Sequence, residues 1–178
     1  DIYRFFKLSP YKKEFEDRFI GRLDIYNSEF FRMTFKSSDA EAGLADYFFN
    51  KNFYEDALFL YLKQISAKPS DVQLYEKIAY CYQENVDYEE ALRYYRRAEL
   101  IDRKVWTIKN IGLCLRRLGK YEDALEYYLQ ACDMEPENFH TVLMTAHCHL
   151  DLKNYEEALK YYFRIEYNDP GNLKILRP

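Results

Sequence analysis

Residues 110–136, NIGLCLRRLGKYEDALEYYLQACDMEP, contain two amphipathic helical patterns joined by a short turn. In both patterns, apolar or small side chains recur at positions i, i+3, i+4 and i+7, which places them on one face of a helix. They are Ile108, Ile111, Gly112 and Leu115 in the first pattern, which begins just before the stretch, and Tyr121, Ala124, Leu125 and Tyr128 in the second. Gly119 lies between the patterns and Pro136 follows the second, at points where helices commonly end. The stretch therefore predicts a helical hairpin.

The second pattern opens with a string of five residues that occurs four times in the chain. The string is Tyr-Glu-Asp-Ala-Leu or Tyr-Glu-Glu-Ala-Leu and begins at Tyr54, Tyr88, Tyr121 and Tyr155, with spacings of 34, 33 and 34 residues. A nearly constant period of this length indicates stacked copies of one helix-turn-helix unit. Ser38 with Glu41, and Ser70 with Gln73, have the spacing of a capping box, which predicts that helices start at these two serines.

The period, the helix-turn-helix pattern and the choice of residues resemble the tetratricopeptide repeat family over about residues 38–172. In that family a small residue of the first helix interlocks with an alanine of the second helix, and an aromatic residue follows four positions later. The matching pairs are Ala45 with Ala57, Ala79 with Ala91, Gly112 with Ala124 and Ala146 with Ala158, and the aromatic residues are Tyr61, Tyr95, Tyr128 and Tyr162. The resemblance implies an all-α fold, a right-handed α-α superhelix (solenoid) of helical hairpins.

The repeat register divides the chain into segments. We expect repeats at residues 38–71, 72–104, 105–138 and 139–172, and the start of a further helix at residues 173–178. Residues 1–37 contain ten aromatic residues outside this register, which predicts a helical cap or a degenerate repeat, with an interaction patch as the alternative. Because repeat arrays need polar caps and the chain starts with Asp1, we expect a fragment of a longer repeat protein, unless the short tail is itself the terminator.

Composition disfavours several classes of function. The net charge of -4 and the pI near 5.5 argue against nucleic acid as the partner, although Arg93, Arg96 and Arg97 with the intervening Tyr94 and Tyr95 form a basic stretch. No apolar run approaches the roughly 18 residues of a membrane-spanning helix, so we predict no membrane span. The first residues also lack the apolar core of a signal peptide.

The four cysteines fit packing better than chemistry. Cys81, Cys114 and Cys148 occupy one repeat position, which takes small side chains in the family, and Cys132 lies in a second helix. We therefore expect buried fillers instead of a disulfide framework or a zinc site. Reduced thiols slightly favour the cytoplasm as the compartment.

The histidines of the last repeat are the strongest candidates for a metal site. His140, His147 and Asp151 fall at i, i+7 and i+11, but seven helical residues span about 10 Å, which is long for two ligands of one ion. His149 occupies a core position and is expected to be a buried, hydrogen-bonded histidine. We predict no metal and no cofactor, and since no nucleophile with its base, phosphate-binding loop or catalytic carboxylate pair is present, we predict no enzymatic activity.

The resemblance also implies a binding surface, because the first helices of tetratricopeptide repeats line a concave groove. At matching positions this chain has aromatic, basic, amide and apolar residues, namely Lys77, Tyr80, Trp106, Lys109, Asn110, Leu113, Arg116, His140, Leu143, Met144 and His147. These predict a non-catalytic protein-protein interaction scaffold that binds a peptide or helix of a partner with apolar anchors and an acidic group.

The sequence also bears on three other interpretations of the function. A subset of the family captures chaperone C-termini through lysine, asparagine and arginine residues, but Ala42 and Asp46, or Glu76 and Tyr80 one repeat later, occupy the first of these positions, which disfavours that ligand. An alternative function that the sequence allows is a regulatory or spacer segment of a larger enzyme or signalling protein. Exposed ends of the array also predict self-association.

Overall fold

The computed structural model describes residues 38–168. The chain divides into two compact units, Asp1–Glu41 and Ala42–Pro178, so the described residues belong to the second unit and to the four residues that precede it. The cap predicted for residues 1–37 and the helix start predicted for residues 173–178 lie outside the described residues.

Residues 38–168 form eight α-helices and no β-strand. The helices are α1 (Ser38–Asn50), α2 (Tyr54–Ile65), α3 (Val72–Glu84), α4 (Tyr88–Ile101), α5 (Val105–Arg117), α6 (Tyr121–Met134), α7 (Phe139–Asp151) and α8 (Tyr155–Asn168). Three-residue turns join them into four hairpins, and the second helix of each hairpin packs on the first helix of the next. Contact between neighbours along the chain defines a helical-repeat solenoid, which confirms the predicted fold class. No described helix has the length and apolar composition that crossing a membrane requires.

Each hairpin turn contains one residue in the left-handed backbone conformation. These residues are Asn52, Val86, Gly119 and Lys153, with φ values of 62°, 65°, 75° and 60°. In the third turn, the Lys120 amide donates to the Leu115 carbonyl at 2.9 Å and the Gly119 amide donates to the Arg116 carbonyl at 3.1 Å, and the other turns repeat both bonds. This Schellman motif satisfies the last carbonyls of each first helix. The helix end predicted at Gly119 is confirmed.

Acidic or amide side chains cap the N-termini of three helices. Asp71 accepts a hydrogen bond from the Leu74 amide at 3.1 Å, and Asp87 and Asn138 cap α4 and α7 in the same way. The predicted helix start at Ser70 is therefore wrong by one residue, since the serine of a capping box is the cap and the cap of α3 is Asp71. Asp71 is as good a cap as serine, and its negative charge also suits the positive end of the helix dipole.

The interlocking pairs lie at the centre of each hairpin. Ala45, Ala57, Ala79, Ala91, Gly112, Ala124, Ala146 and Ala158 are all buried, as the pattern predicts. At Gly112 a β-carbon would lie 3.0 Å from Cε1 of Tyr128, so the absence of a side chain lets the tyrosine ring lie directly on α5. Tyr61, Tyr95 and Tyr128 are buried, whereas Tyr162 in the last hairpin is half-buried. Small residues thus allow close helix approach and large aromatic rings fill the space between hairpins.

The four cysteines are free and buried, which confirms their assignment to packing. Burial raises the pKa of the Cys81 and Cys114 thiols to about 12 and that of Cys148 to about 11. Their sulfur atoms are therefore protonated at neutral pH and are poor nucleophiles. Cys148 donates to the Tyr121 carbonyl at 3.2 Å, so this thiol also links α7 to the start of α6.

Candidate partner-binding face

The first helices of the four hairpins lie side by side and contact one another through polar side chains. Lys77 Nζ of α3 lies 2.6 Å from Asp46 Oδ1 of α1, and Arg116 Nε of α5 lies 2.5 Å from Asp151 Oδ2 of α7. Between these two contacts, Thr107 of α5 donates to the Glu76 carboxylate of α3 at 2.7 Å. Helices α1, α3, α5 and α7 therefore share one surface, which we call the first-helix face.

Three aromatic side chains of this face form a cluster with Tyr54 from the start of α2, and we call Phe49, Tyr54, Tyr80 and Trp106 the aromatic cluster. The Tyr80 ring lies 5.5 Å from Phe49, 5.7 Å from Tyr54 and 6.4 Å from Trp106, with an angle of 30° between the Tyr80 and Trp106 planes. Trp106 also meets the buried Tyr95 edge-on at 5.7 Å, yet 41% of Trp106 remains exposed. An anchored aromatic side chain that remains partly exposed is typical of binding hot spots.

Half of this cluster follows from the repeat pattern. The pattern predicts Tyr80 and Trp106 at the binding surface, but it does not predict Phe49 and Tyr54 there. Tyr54 opens the repeated string, whose conspicuous residues are expected to pack within the hairpins. The spacing of these two residues in the sequence is the feature that could have predicted their contact. Phe49 lies at the end of α1 and Tyr54 at the start of α2, on either side of the same turn.

Lys77 holds α1 and α3 together. Its ammonium group contacts Asp46 and also lies 5.5 Å from the centre of the Tyr61 ring, while the Tyr61 hydroxyl donates to the same Asp46 oxygen at 2.6 Å. Partial burial acts to raise the pKa of the Asp46 carboxyl, but the hydrogen bonds from Lys77 and Tyr61 outweigh it and lower that pKa below its ordinary value. Lys77 is therefore already neutralised by a side chain of the preceding repeat.

The predicted residues of α5 extend the face beyond Trp106. The Asn110 amide group donates to the Trp106 carbonyl at 2.9 Å, and Lys109 lies 4.0 Å from the Glu135 carboxylate. Leu113 is half-buried at the middle of the helix. Arg116 is neutralised by Asp151, so the longest basic side chain of the predicted set is oriented by the next repeat. Lys109, with its long ion pair, has the weaker partner.

The predicted residues of α7 adjoin those of α5. Partial burial and the nearby Lys109 lower the pKa of His140 below its ordinary value, and burial together with Arg116 does the same for His147. Both imidazoles are therefore neutral at pH 7. The His147 ring also lies 6.2 Å from the Tyr162 ring. Leu143 and Met144, which lie between His140 and His147 in the sequence, are half-buried.

His149 lies outside the first-helix face. It is buried and stacks on Tyr161 of α8, with ring centres 5.4 Å apart, as its predicted core position requires. Its Nδ1 atom has no hydrogen-bond partner within the described residues, so the expected hydrogen bond at this nitrogen is absent. Within residues 38–168, no three His, Cys, Asp or Glu side chains are grouped closely enough to hold a metal ion.

Comparisons with known proteins agree with the repeat register. Two models of the family described as "Tetratricopeptide repeat" match residues 70–137 and 110–172, which together cover more than half of the chain. The chain belongs to the tetratricopeptide repeat family. Tetratricopeptide repeats are in general a non-catalytic fold for protein interaction, so the chain is a protein-interaction scaffold. No curated protein matches the sequence at a significant level.

Solved tetratricopeptide repeat structures share the fold. A crystal structure of MamA protein is 15% identical, with a TM-score of 0.72 over 92% of this chain and 89% of that chain. YrrB, described as "a TPR protein with an unusual peptide-binding site", is 20% identical, with a TM-score of 0.67 over 78% of this chain and 72% of that chain. At these identities the likeness concerns the fold.

Proposed function

We propose that the chain binds an extended peptide or a helix of a partner protein along its first-helix face. One observation supports this most strongly: Trp106 is anchored on Tyr80 and Tyr95 yet 41% exposed at the centre of the face. A tryptophan held in one orientation loses little side-chain entropy when a ligand covers it. The peptide-binding site of YrrB is a precedent in the same fold.

The surroundings of Trp106 supply the other requirements of peptide recognition. Leu113 lies two turns further along α5 and offers a second apolar contact at the spacing of alternate anchors on a bound segment. Lys109 lies between them, and its one ion pair within residues 38–168 is the long contact with Glu135, so its charge is available to an acidic group of the partner. Apolar contact then supplies affinity, and Lys109 fixes the orientation of the segment.

A peptide selection on the immobilised full chain tests this function. Peptides from a random library are selected on the chain and their affinities are measured with Leu113→Gln and with Leu129→Gln. Leu129 is a partly exposed leucine of the second helix α6 and serves as the matched control. We expect Leu113→Gln to weaken binding about tenfold, which corresponds to about 1.4 kcal/mol, and Leu129→Gln to leave it unchanged.

The selection also separates binding from a spacer role. A regulatory or spacer segment of a larger protein has no need of a peptide site on this face. Selected peptides that bind Leu113→Gln as tightly as the unchanged chain, or a selection that returns none, would contradict peptide binding along the first-helix face.

A second copy of the chain is the other candidate partner, through α8. Large apolar side chains recur every four residues along this helix and are 52–88% exposed, namely Tyr155, Leu159, Phe163 and Tyr167. Leu92, which occupies the place of Leu159 two repeats earlier, is only 7% exposed on a helix that contacts α5. An apolar stripe of this kind is typical of an interface.

Light scattering across a range of concentrations tests this self-association. The mass of the full chain should rise with concentration, and Leu159→Lys should hold it at the monomer. Leu100→Lys, which changes an even more exposed leucine on α4, should behave as the unchanged chain does. A monomer at every concentration would rule out this interface.

A further inference from the structure

Charged residues are unevenly distributed among the first helices. Helices α1 and α3 contain five acidic residues and one lysine, whereas α5 contains three basic residues and no acidic one. Most of these charges that face a neighbouring repeat are paired: Asp46 with Lys77, and Glu76 with Lys104 at 3.3 Å. Glu84, at the end of α3, is exposed and takes part in no ion pair within residues 38–168.

Glu84 lies next to the aromatic cluster. It follows Tyr80 by one helical turn, and burial together with the charge of Glu84 raises the pKa of the Tyr80 hydroxyl to about 12. A carboxylate beside an exposed aromatic surface makes that surface favourable for a cation, because the ring faces and the carboxylate attract positive charge together.

The chain itself places cations over aromatic rings at other positions. Lys63 lies 4.5 Å from the centre of the Phe59 ring, and Arg93 lies 5.1 Å from that of Tyr94. Among the described residues, no lysine or arginine lies over the rings of Tyr54, Tyr80 or Trp106. Tryptophan binds cations better than the other aromatic side chains do, so Trp106 is available to a cation of a ligand.

We propose that the partner segment has an arginine or lysine whose charged group lies over Tyr80 and Trp106, with Glu84 as its counter-charge. Lys77 does not oppose this cation, because the Asp46 carboxylate already neutralises it. The segment is therefore basic where it crosses α3 and acidic where it crosses Lys109 of α5. This inference rests on the proposed function, since it concerns the same bound segment.

The test uses a selected peptide whose binding depends on Leu113. Each arginine of the peptide is replaced by citrulline, which keeps the shape of the side chain and removes its charge, and each lysine by norleucine. We expect one such replacement to weaken binding about tenfold. Glu84→Gln should weaken binding of the original peptide to a similar extent, while Glu126→Gln, an exposed carboxylate of α6, should not.

The variants also distinguish the two proposals. In Trp106→Leu, which removes one aromatic face and keeps an apolar side chain, the difference in affinity between the charged and uncharged peptides should become smaller, because only Tyr80 and Glu84 still attract the cation. If the peptides depend on Leu113 but contain no basic residue that matters, or if Glu84→Gln leaves binding unchanged, the cation site is wrong and the binding face stands. A selection with no Leu113-dependent peptide overturns both.

Discussion

Val86 has a positive φ of 65° in the turn between α3 and α4, although its side chain is β-branched. A β-carbon in the left-handed region crowds the following carbonyl, and branching at that carbon increases the strain. Gly119 meets the same requirement in the next turn without that cost. The chain thus tolerates strain at Val86 because the Asp87–Tyr82 and Val86–Gln83 hydrogen bonds of the turn, at 2.9 and 3.0 Å, fix its conformation.

We predict that Val86→Gly increases the free energy of unfolding by about 1 kcal/mol. Val86 is largely exposed, so the change removes little packing. Chemical denaturation measures the difference, and Gly119→Val, the reverse change at the equivalent position, should lower the free energy of unfolding by a similar amount. An unchanged or less stable Val86→Gly would contradict the prediction, because the strain at Val86 would then be no larger than the entropic cost of glycine in the unfolded chain.

Ala124 tests the interlocking of the hairpin helices. It is fully buried opposite Gly112, where the Tyr128 ring already lies against α5. We predict that Ala124→Leu lowers the free energy of unfolding by about 1–3 kcal/mol, because the larger side chain forces the two helices apart. Glu126→Leu, on the exposed side of the same helix, should change it by less than about 0.5 kcal/mol. A chemical melt in which Ala124→Leu matches the parent would refute the repeat register.

At the scale of helices, the sequence predicts the hairpins better than it predicts the face they build. The small pairs and the string that begins with tyrosine recur at a nearly constant period, so the helices, their pairing and the turn at Gly119 follow from local spacing. Lys77–Asp46 and Arg116–Asp151 join residues 31 and 35 positions apart. Such contacts depend on side-chain conformations across repeats, which a period does not specify.

The aromatic cluster and Ser70 show the same limit. Phe49 and Tyr54 lie in different helices of the first hairpin, and only the position of α3 brings both rings onto Tyr80. The choice of Asp71 over Ser70 as the cap of α3 is set by where the preceding turn ends, since two good capping residues are adjacent in the sequence. The repeat period predicts neither the contacts of the Tyr80 ring nor the choice of the capping residue.

The contact between α7 and α8 predicts a dependence of stability on pH. Burial lowers the pKa of His149 below its unfolded value near 6.5, although Glu157 acts in the opposite direction. The stability that neutral His149 provides is thus present above pH 6.5 and is lost as pH falls through the lower folded pKa. Tyr82 occupies the same repeat position in the second hairpin, so His149→Tyr is a natural uncharged replacement.

We expect His149→Tyr to gain stability relative to the unchanged chain as pH falls from neutral to mildly acidic. Denaturation curves at a series of pH values measure this difference. His140→Gln, at the exposed start of α7, is the control, because it shows how much the other histidines of α7 contribute to the pH dependence of stability. Parallel stability profiles for His149→Tyr and the parent would mean that protonation of His149 is not coupled to unfolding.

At the scale of the molecule, the first helices of the four hairpins share the face that we propose as the binding site, with aromatic rings near α3 and basic groups along α5. The ion pairs between first helices fix their relative positions, so the face is formed before a partner binds. A preformed face loses less entropy on binding than one that must be ordered. If the proposed function holds, the partner's segment has to match a fixed order of surfaces along the repeats.

The most direct test of this account is calorimetric titration of a selected peptide into Trp106→Ala/Lys109→Ala. The double change removes the anchored ring and the weakly paired ammonium group of the face, and Leu129→Ala/Arg97→Ala removes exposed side chains of α6 and α4 as the control. We predict that the first variant binds at least about thirtyfold more weakly, equivalent to about 2 kcal/mol, while both variants melt near the temperature of the parent. Unchanged affinity in a folded Trp106→Ala/Lys109→Ala chain would contradict the assignment of the binding face.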